Sequence, residues 1–246
     1  MILKTGEFCG VVFADRIIAI SNPIAVSIRN KFKKSALVIP NGVVLPDVLD
    51  TQEILKKYSI EKGKYILAVG RFVPEKGFHD LIEAFERLQV ISHKSQVKLV
   101  IAGAADHEDI YSKGLKEKAS GNKNIVLTGF LTGDSLRELY ANAGIFILPS
   151  YYEGLPIVLL EAMSYGLSCL ASDIPANREV SLAEERFFKP GDIETIAEKL
   201  EEFINKPLSR QDREKQVLEI AEKYNWDKIA DETLKVYRGQ VKSLRI

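Results

Sequence analysis

Short apolar runs alternate with longer amphipathic stretches from residue 65 onward, and this alternation is the main structural signal in the chain. Residues 65–69, 97–102, 125–127, 145–148 and 168–171 read as strands, with Phe187 and Phe188 marking a last one. The stretches between them, 76–88, 110–119, 136–143 and 156–165, carry helical periodicity. The strands are Val-, Ile- and Leu-rich without strict polar alternation, as expected for a parallel sheet covered on both faces. Helices between parallel strands supply the crossovers. The expected fold class is therefore α/β, a doubly wound parallel sheet, with additional C-terminal helices over 192–203, 210–223 and 226–241.

The front of the chain is less regular. Residues 16–20 (RIIAI) predict a strand whose edge is exposed. Ser21, Asn22 and Pro23 offer a helix start for residues 24–32. Residues 36–39 predict a second strand, closed by the turn Pro40-Asn41-Gly42. Residues 1–13 show no clear periodicity.

Composition narrows the function classes. With 246 residues, 46% hydrophobic and 28% charged, the chain can bury a large core. Its formal net charge of zero gives no reason to expect a nucleic-acid or anionic-membrane partner. Cys9 and Cys169 are the only cysteines, so neither a disulfide framework nor a zinc motif is expected. The best apolar stretch, residues 8–20, is interrupted by Asp15 and Arg16 and is not a membrane span. No secretory signal is recognisable. The expected compartment is the cytoplasm, with peripheral membrane attachment through a partner or acceptor left open.

In an open parallel sheet, ligands bind beyond the carboxyl ends of the strands. The loop after the first core strand, residues 70–77, combines Gly70 and Gly77 with two cations, Arg71 and Lys76. Glycine permits close backbone approach, and the incoming helix brings free N–H groups, a credible phosphate clamp. No G-x-G-x-x-G or Walker loop occurs there. Residues 103–107 are small and permissive, but His107, like His79 and His93, reads as an ordinary position. Residues 128–131 offer a flat, apolar ledge ending at Leu131, suited to a nucleobase or to plain turn packing.

The stretch 148–166 carries two carboxylates. Glu161 sits in the middle of an apolar helix, where burial is costly unless a hydrogen bond offsets it. Glu153 stands just before that helix, beside the Gly154 and Leu155 backbone N–H groups, with Pro156 at the expected first helical position. Glu161 suits a vicinal diol such as ribose, and Glu153 a polyol. Residues 172–179 form a polar loop that either closes over a ligand or caps a helix through Glu179. Two carboxylates, a diphosphate clamp and a base ledge fit a sugar nucleotide. No D-x-D pair or metal-ligand cluster accompanies them.

Several stretches occur in an order that resembles the nucleotide-sugar-binding half of a GT-B glycosyltransferase, in the large retaining family 4. They are IPNGV at 39–43, VGRFVPEKG at 69–77, VLTGFL at 126–131, EGLPIVLLE at 153–161, AMSYGLSCLASDIPANREV at 162–180 and FKPGD at 188–192. The resemblance implies transfer of a sugar from a UDP-, GDP- or ADP-sugar to an acceptor hydroxyl, with no bound metal or other cofactor. It assigns the donor diphosphate to Arg71 and Lys76 beside Gly70, and the donor sugar to Glu153 with Gly154 and Leu155. Glu161 then holds the ribose and Leu131 borders the base; the catalytic set is Glu153, Arg71 and Lys76.

The resemblance also implies a domain plan. Residues 1–38 correspond to the end of an N-terminal acceptor domain, through ADRIIAISNPIAVSIRNKF at 14–32. Residues 39–224 correspond to the donor domain, and 225–246 to a crossover helix containing NWDKIADETLKVY, which is expected to find little to cross back to. Most of the acceptor domain is expected to be absent. The acceptor saccharide, lipid or small molecule would then be held by a missing or partner-supplied domain, in a homo- or hetero-oligomer, and the chain alone is expected to transfer sugar poorly. A noncatalytic nucleotide-sugar-binding or regulatory subunit is the alternative. A nucleotide-sugar epimerase is weaker still, because no suitably placed histidine is evident.

Overall fold

All residues of the strand Tyr65–Val69 are buried, because helices cover both of its faces. The computed structural model describes residues 2–47, 51–92 and 97–240. His93 and the expected end of the last helix at Val241 lie outside the described residues.

Six parallel strands form the central sheet: β3 (Tyr65–Val69), β4 (Lys98–Ala102), β5 (Ile125–Gly129), β6 (Ile145–Leu148), β7 (Cys169–Ser172) and β8 (Phe187–Phe188). Their spatial order is β5-β4-β3-β6-β7-β8. The chain winds outward from β3 to β5, then returns to lay β6 against the free side of β3. Ligands in such sheets bind outside the strand ends at this reversal.

Two cores flank the sheet. Leu67, Val69, Val100, Phe146 and Leu148 face α6 (Gly133–Asn142), α7 (Ile157–Ser164) and α9 (Arg210–Lys223). Ile66, Ala68, Leu99, Ile101 and Ile147 face α4 (Phe78–Ser92), α5 (Ile110–Ser120) and α8 (Ile193–Ile204). Each fully buried Leu, Ile or Phe contributes about 1.5–3 kcal/mol. This two-sided burial is why the strands lack polar alternation.

The front forms a second, small unit. Strands β1 (Ile18–Ala19) and β2 (Leu37–Val38) pair in parallel, joined by α2 (Asn22–Phe32). Among the described residues no further strand lies beside either, so the edge expected at residues 16–20 is open on one side. Residues Ile2–Val12 are a helix, α1, which their patterning did not reveal. It rests on α2, with the Phe8 and Phe32 rings 6.5 Å apart, yet leaves Phe8 half exposed, so no clean buried stripe marks it.

Helix α10 (Trp226–Tyr237) does find a surface to cross onto. Its Ile229 and Val236 bury against Ile39 and Leu37 of the small unit. The expectation that it would have little to cross back to is corrected to that extent. The Val43 N–H donates to the Tyr224 carbonyl at 2.9 Å and adds a second tie.

Three further boundaries differ from expectation. The helix expected over 76–88 is split: a 3-10 turn, Pro74–Lys76, precedes α4, and Gly77 at φ +65° breaks between them. Pro156 is the N-cap of α7 rather than its first residue. A short helix, α3 (Glu53–Lys57), went unforeseen because its partner is remote. Buried Glu138 on α6 accepts from the Glu53 and Leu55 N–H groups at 3.1 and 2.9 Å, which satisfies two of the helix's free donors. No helix among the described residues is long and apolar enough to cross a membrane.

Candidate functional site

The loops after β3 and β6 meet at the sheet reversal because glycine lets their backbones touch. A Cβ on Gly77 would lie 2.3 Å from the Pro149 carbonyl oxygen; on the other side of the β3 loop, one on Gly103, after β4, would lie 1.8 Å from the Gly70 carbonyl oxygen. The Tyr151 N–H donates to the Glu75 carbonyl at 2.8 Å and locks the two loops together.

This contact brings the first expected pair into one place. Lys76 Nζ donates to Glu153 Oε1 at 2.6 Å, and Ser150 Oγ donates to the same oxygen at 2.6 Å. The side chains are 16% and 9% exposed, so each charge depends on the other for compensation. Gly70 lies beside this pair: a Cβ there would touch the Lys76 stem at 3.4 Å, an ordinary contact.

Arg71 shares the loop but not the cluster. Its guanidinium pairs with Asp106, after β4, at 3.0 Å, and the side chain is 63% exposed. Such a pair is weak and readily exchanged for another anion.

Glu161 has a different setting. The Tyr140 hydroxyl donates to its Oε2 at 3.0 Å, and no cation pairs with it among the described residues. Burial raises its pKa above the usual carboxylate range, and the Tyr140 bond pulls it partly back. Glu161 lines an open cavity of about 390 Å³ with Asn41, Arg137, Tyr140, Tyr165 and Trp226. Glu153 does not line this cavity. The two carboxylates, eight positions apart in sequence, thus occupy separate compartments.

The remaining expected residues fall around these two points. Leu131 is half-buried against the α7-side core, while neighbouring Phe130 exposes its ring. Gly154 runs close under the small N-terminal unit, where a Cβ would meet Ile24 Cδ1 at 3.4 Å. Among the described residues nothing accepts from the Gly154 or Leu155 N–H groups, which precede the N-cap Pro156 and lie just outside α7.

Of the two roles open to the 172–179 loop, the structure shows capping. Glu179 accepts from the Asn22 N–H at 2.9 Å and fastens the start of α2 to the sheet domain. Arg178 is gripped by Asp173 and Glu184. Cys169 is fully enclosed, and burial pushes its thiol pKa well up, which leaves it unreactive. Among the described residues no group of three or more His, Cys, Asp and Glu side chains could hold a metal ion.

Sequence reasoning missed Ser150, Tyr140 and Trp226. The lone tryptophan was the available signal: a Cβ on Gly42 would lie 2.6 Å from its ring, so the glycine of the IPNGV turn is the seat of Trp226. Tyr140 had no local signal, because its partner Glu161 sits a strand and a loop away.

Comparison with known proteins places the chain in a family. The sequence model of the family described as glycosyl transferases group 1 matches residues 50–240. An uncharacterized glycosyltransferase of Methanocaldococcus jannaschii is 34% identical over 71% of this chain and 45% of its own length. The O-antigen chain mannosyltransferase B of Escherichia coli is 26% identical over 75% of this chain and 48% of its own. The chain spans about half the length of these relatives. Among solved structures, Anabaena HepE in complex with UDP-glucose superposes with a TM-score of 0.79 at 17% identity, over 92% of this chain and 64% of that one. This likeness shows the fold, a Rossmann-like parallel sheet of GT-B type. The chain belongs to the group 1 glycosyl transferase family.

Proposed function

We propose that this chain is the donor-binding half of a retaining, family 4 glycosyltransferase that moves a sugar from a nucleoside-diphosphate sugar to an acceptor hydroxyl. The Lys76–Glu153 pair at the sheet reversal carries the reading, because it places a cation and a carboxylate where ligands of such sheets sit. Lys76 holds the donor diphosphate, joined by Arg71 once it exchanges Asp106 for phosphate oxygens. The free Gly154 and Leu155 N–H groups just before α7 add donors to the same anion. Glu153, released from Lys76 by the incoming phosphate, accepts from hydroxyls of the transferred sugar. Glu161 accepts from the ribose diol in the neighbouring cavity, and Leu131 borders the base.

The chemistry assigned to these residues is electrostatic. Lys76, Arg71 and the α7 entry stabilise charge as it develops on the departing diphosphate. In the proposed domain plan, residues 39–224 form the donor domain, with 1–38 and the crossover helix (225–246) belonging to the acceptor side; residues 1, 48–50, 93–96 and 241–246 of that plan lie outside the described residues. Acceptor contacts come from a further domain or a second polypeptide. A calorimetric panel of UDP-, GDP- and ADP-sugars, followed by labelled-sugar transfer with and without candidate partner chains, tests this. Binding of one donor class supports the reading; no binding to any nucleotide contradicts it.

A further inference from the structure

The FKPGD stretch and the tyrosine two positions before Glu153 have no role in the scheme above, yet the structure joins them. The loop after β6 runs from Pro149 to Pro156 as neither helix nor strand, and Glu153 must be held within it. It is attached from outside by Ser172 of β7, whose hydroxyl donates to the Ser150 carbonyl, and by Asp80, through Tyr151. Besides the N–H bond to Glu75, the Tyr151 hydroxyl donates to Asp80 Oδ2 at 2.8 Å. Asp80 is buried in the first turn of α4, directly after the turn that carries Lys76.

Two neighbours are shaped to admit this side chain. The His79 ring stacks on that of Tyr151 at 6.2 Å and 11°, and His79 Nδ1 lies 3.0 Å from the Tyr111 hydroxyl. Gly191 of FKPGD adopts φ +77°, and a Cβ there would come within 2.5 Å of the Tyr151 hydroxyl oxygen. The glycine therefore provides both the backbone turn and the space for the phenol.

We propose that Tyr151 is a positioning residue that holds Glu153 against Lys76 by strapping the loop after β6 to the start of α4. This rests on reading Lys76 and Glu153 as the donor site. The bonds Glu153 makes itself, to Ser150 and Lys76, either stay within the loop or span the gap that has to be fixed. The hydroxyl–carboxylate bond to Asp80 is charge-assisted and anchors the loop from outside. It also keeps the Tyr151 hydroxyl above the ordinary phenol pKa.

The test requires no ligand. Lysine acetylation followed by mass spectrometry reports the reactivity of Lys76, with exposed Lys215 as reference. In Y151F and D80A the Lys76-to-Lys215 labelling ratio rises about fivefold, the factor one hydrogen bond supports. In D80N it stays near wild type, because the amide oxygen still accepts from Tyr151. An unchanged ratio in Y151F overturns the strap, as does D80N rising as far as D80A. A purely structural role for Tyr151 lowers the melting temperature of Y151F without moving the ratio, and also overturns it. UDP titration of the same proteins separates the two readings. If wild type binds no UDP, the nucleotide reading fails while the labelling still decides the strap.

Discussion

The two carboxylates of EGLPIVLLE are chemically alike and physically opposite. Glu153 sits at the sheet reversal with a lysine and a serine on one oxygen, so its charge is compensated within the protein. Glu161 sits on an apolar helix with a phenol hydroxyl as its hydrogen-bond donor, and burial raises its pKa. The first is part of a closed arrangement, which under the proposed function the donor diphosphate reopens. The second is a costly acceptor held ready in a cavity. Breaking each should therefore have different consequences, which scale with how much charge is left uncompensated.

The largest effect is expected at Lys76. Lys76→Ala leaves Glu153 nearly buried without its cation and should cost about 3–5 kcal/mol in urea unfolding. Adding Glu153→Gln should restore much of that loss, since no charge is then stranded; a strictly additive double mutant would break the coupling. Next comes Gly77→Ala, which combines a left-handed backbone with a Cβ pressed on the Pro149 carbonyl. It should destabilise by about 1–3 kcal/mol and part the two loops. Wild-type stability there would show that the loops yield.

Glu161 should move the other way. Its folded pKa is raised, so the folded state holds this proton more tightly than the unfolded chain does. Stability then falls as pH rises from the ordinary carboxylate range through the raised folded value, and above that the penalty is constant. Glu161→Gln removes the penalty while keeping an acceptor for Tyr140. It should stabilise the protein at neutral pH by about 0.5–2 kcal/mol and flatten that part of the pH profile. Destabilisation at neutral pH would mean that the carboxylate is structural. The smallest effect is expected at Arg71, whose pair with Asp106 is exposed: Arg71→Ala should change stability by under about 1 kcal/mol while weakening diphosphate binding. Equal loss for nucleosides and diphosphates would remove it from the clamp.

The sheet was legible because each core strand needs apolar residues on both faces, and residues 65–69 and 145–148 state that locally. Helix α3 was not, because Glu138, which satisfies its free N–H groups, is some 85 positions away. The same distinction holds at the site. Gly70, Lys76 and Glu153 announced a site through residue type after a strand. The meeting of Lys76 and Glu153 depends on Gly77 admitting the Pro149 carbonyl, which the sequence shows only as a glycine. Arg71 shares the loop of Lys76, but its Asp106 partner comes from the next strand's loop, and nothing local to residue 71 names it. The Glu161 cavity needed Tyr140 and Trp226, brought in by separate helices; nothing local to residue 161 names them.

The most direct measurement is calorimetric titration of UDP, GDP and ADP, each against its own nucleoside, into wild type, Lys76→Ala and Glu161→Gln. The account predicts that one base class binds wild type. It predicts that Lys76→Ala weakens the diphosphate far more than the nucleoside, and that Glu161→Gln weakens both alike. Unchanged affinities in Glu161→Gln, or equal losses of diphosphate and nucleoside in Lys76→Ala, would contradict it.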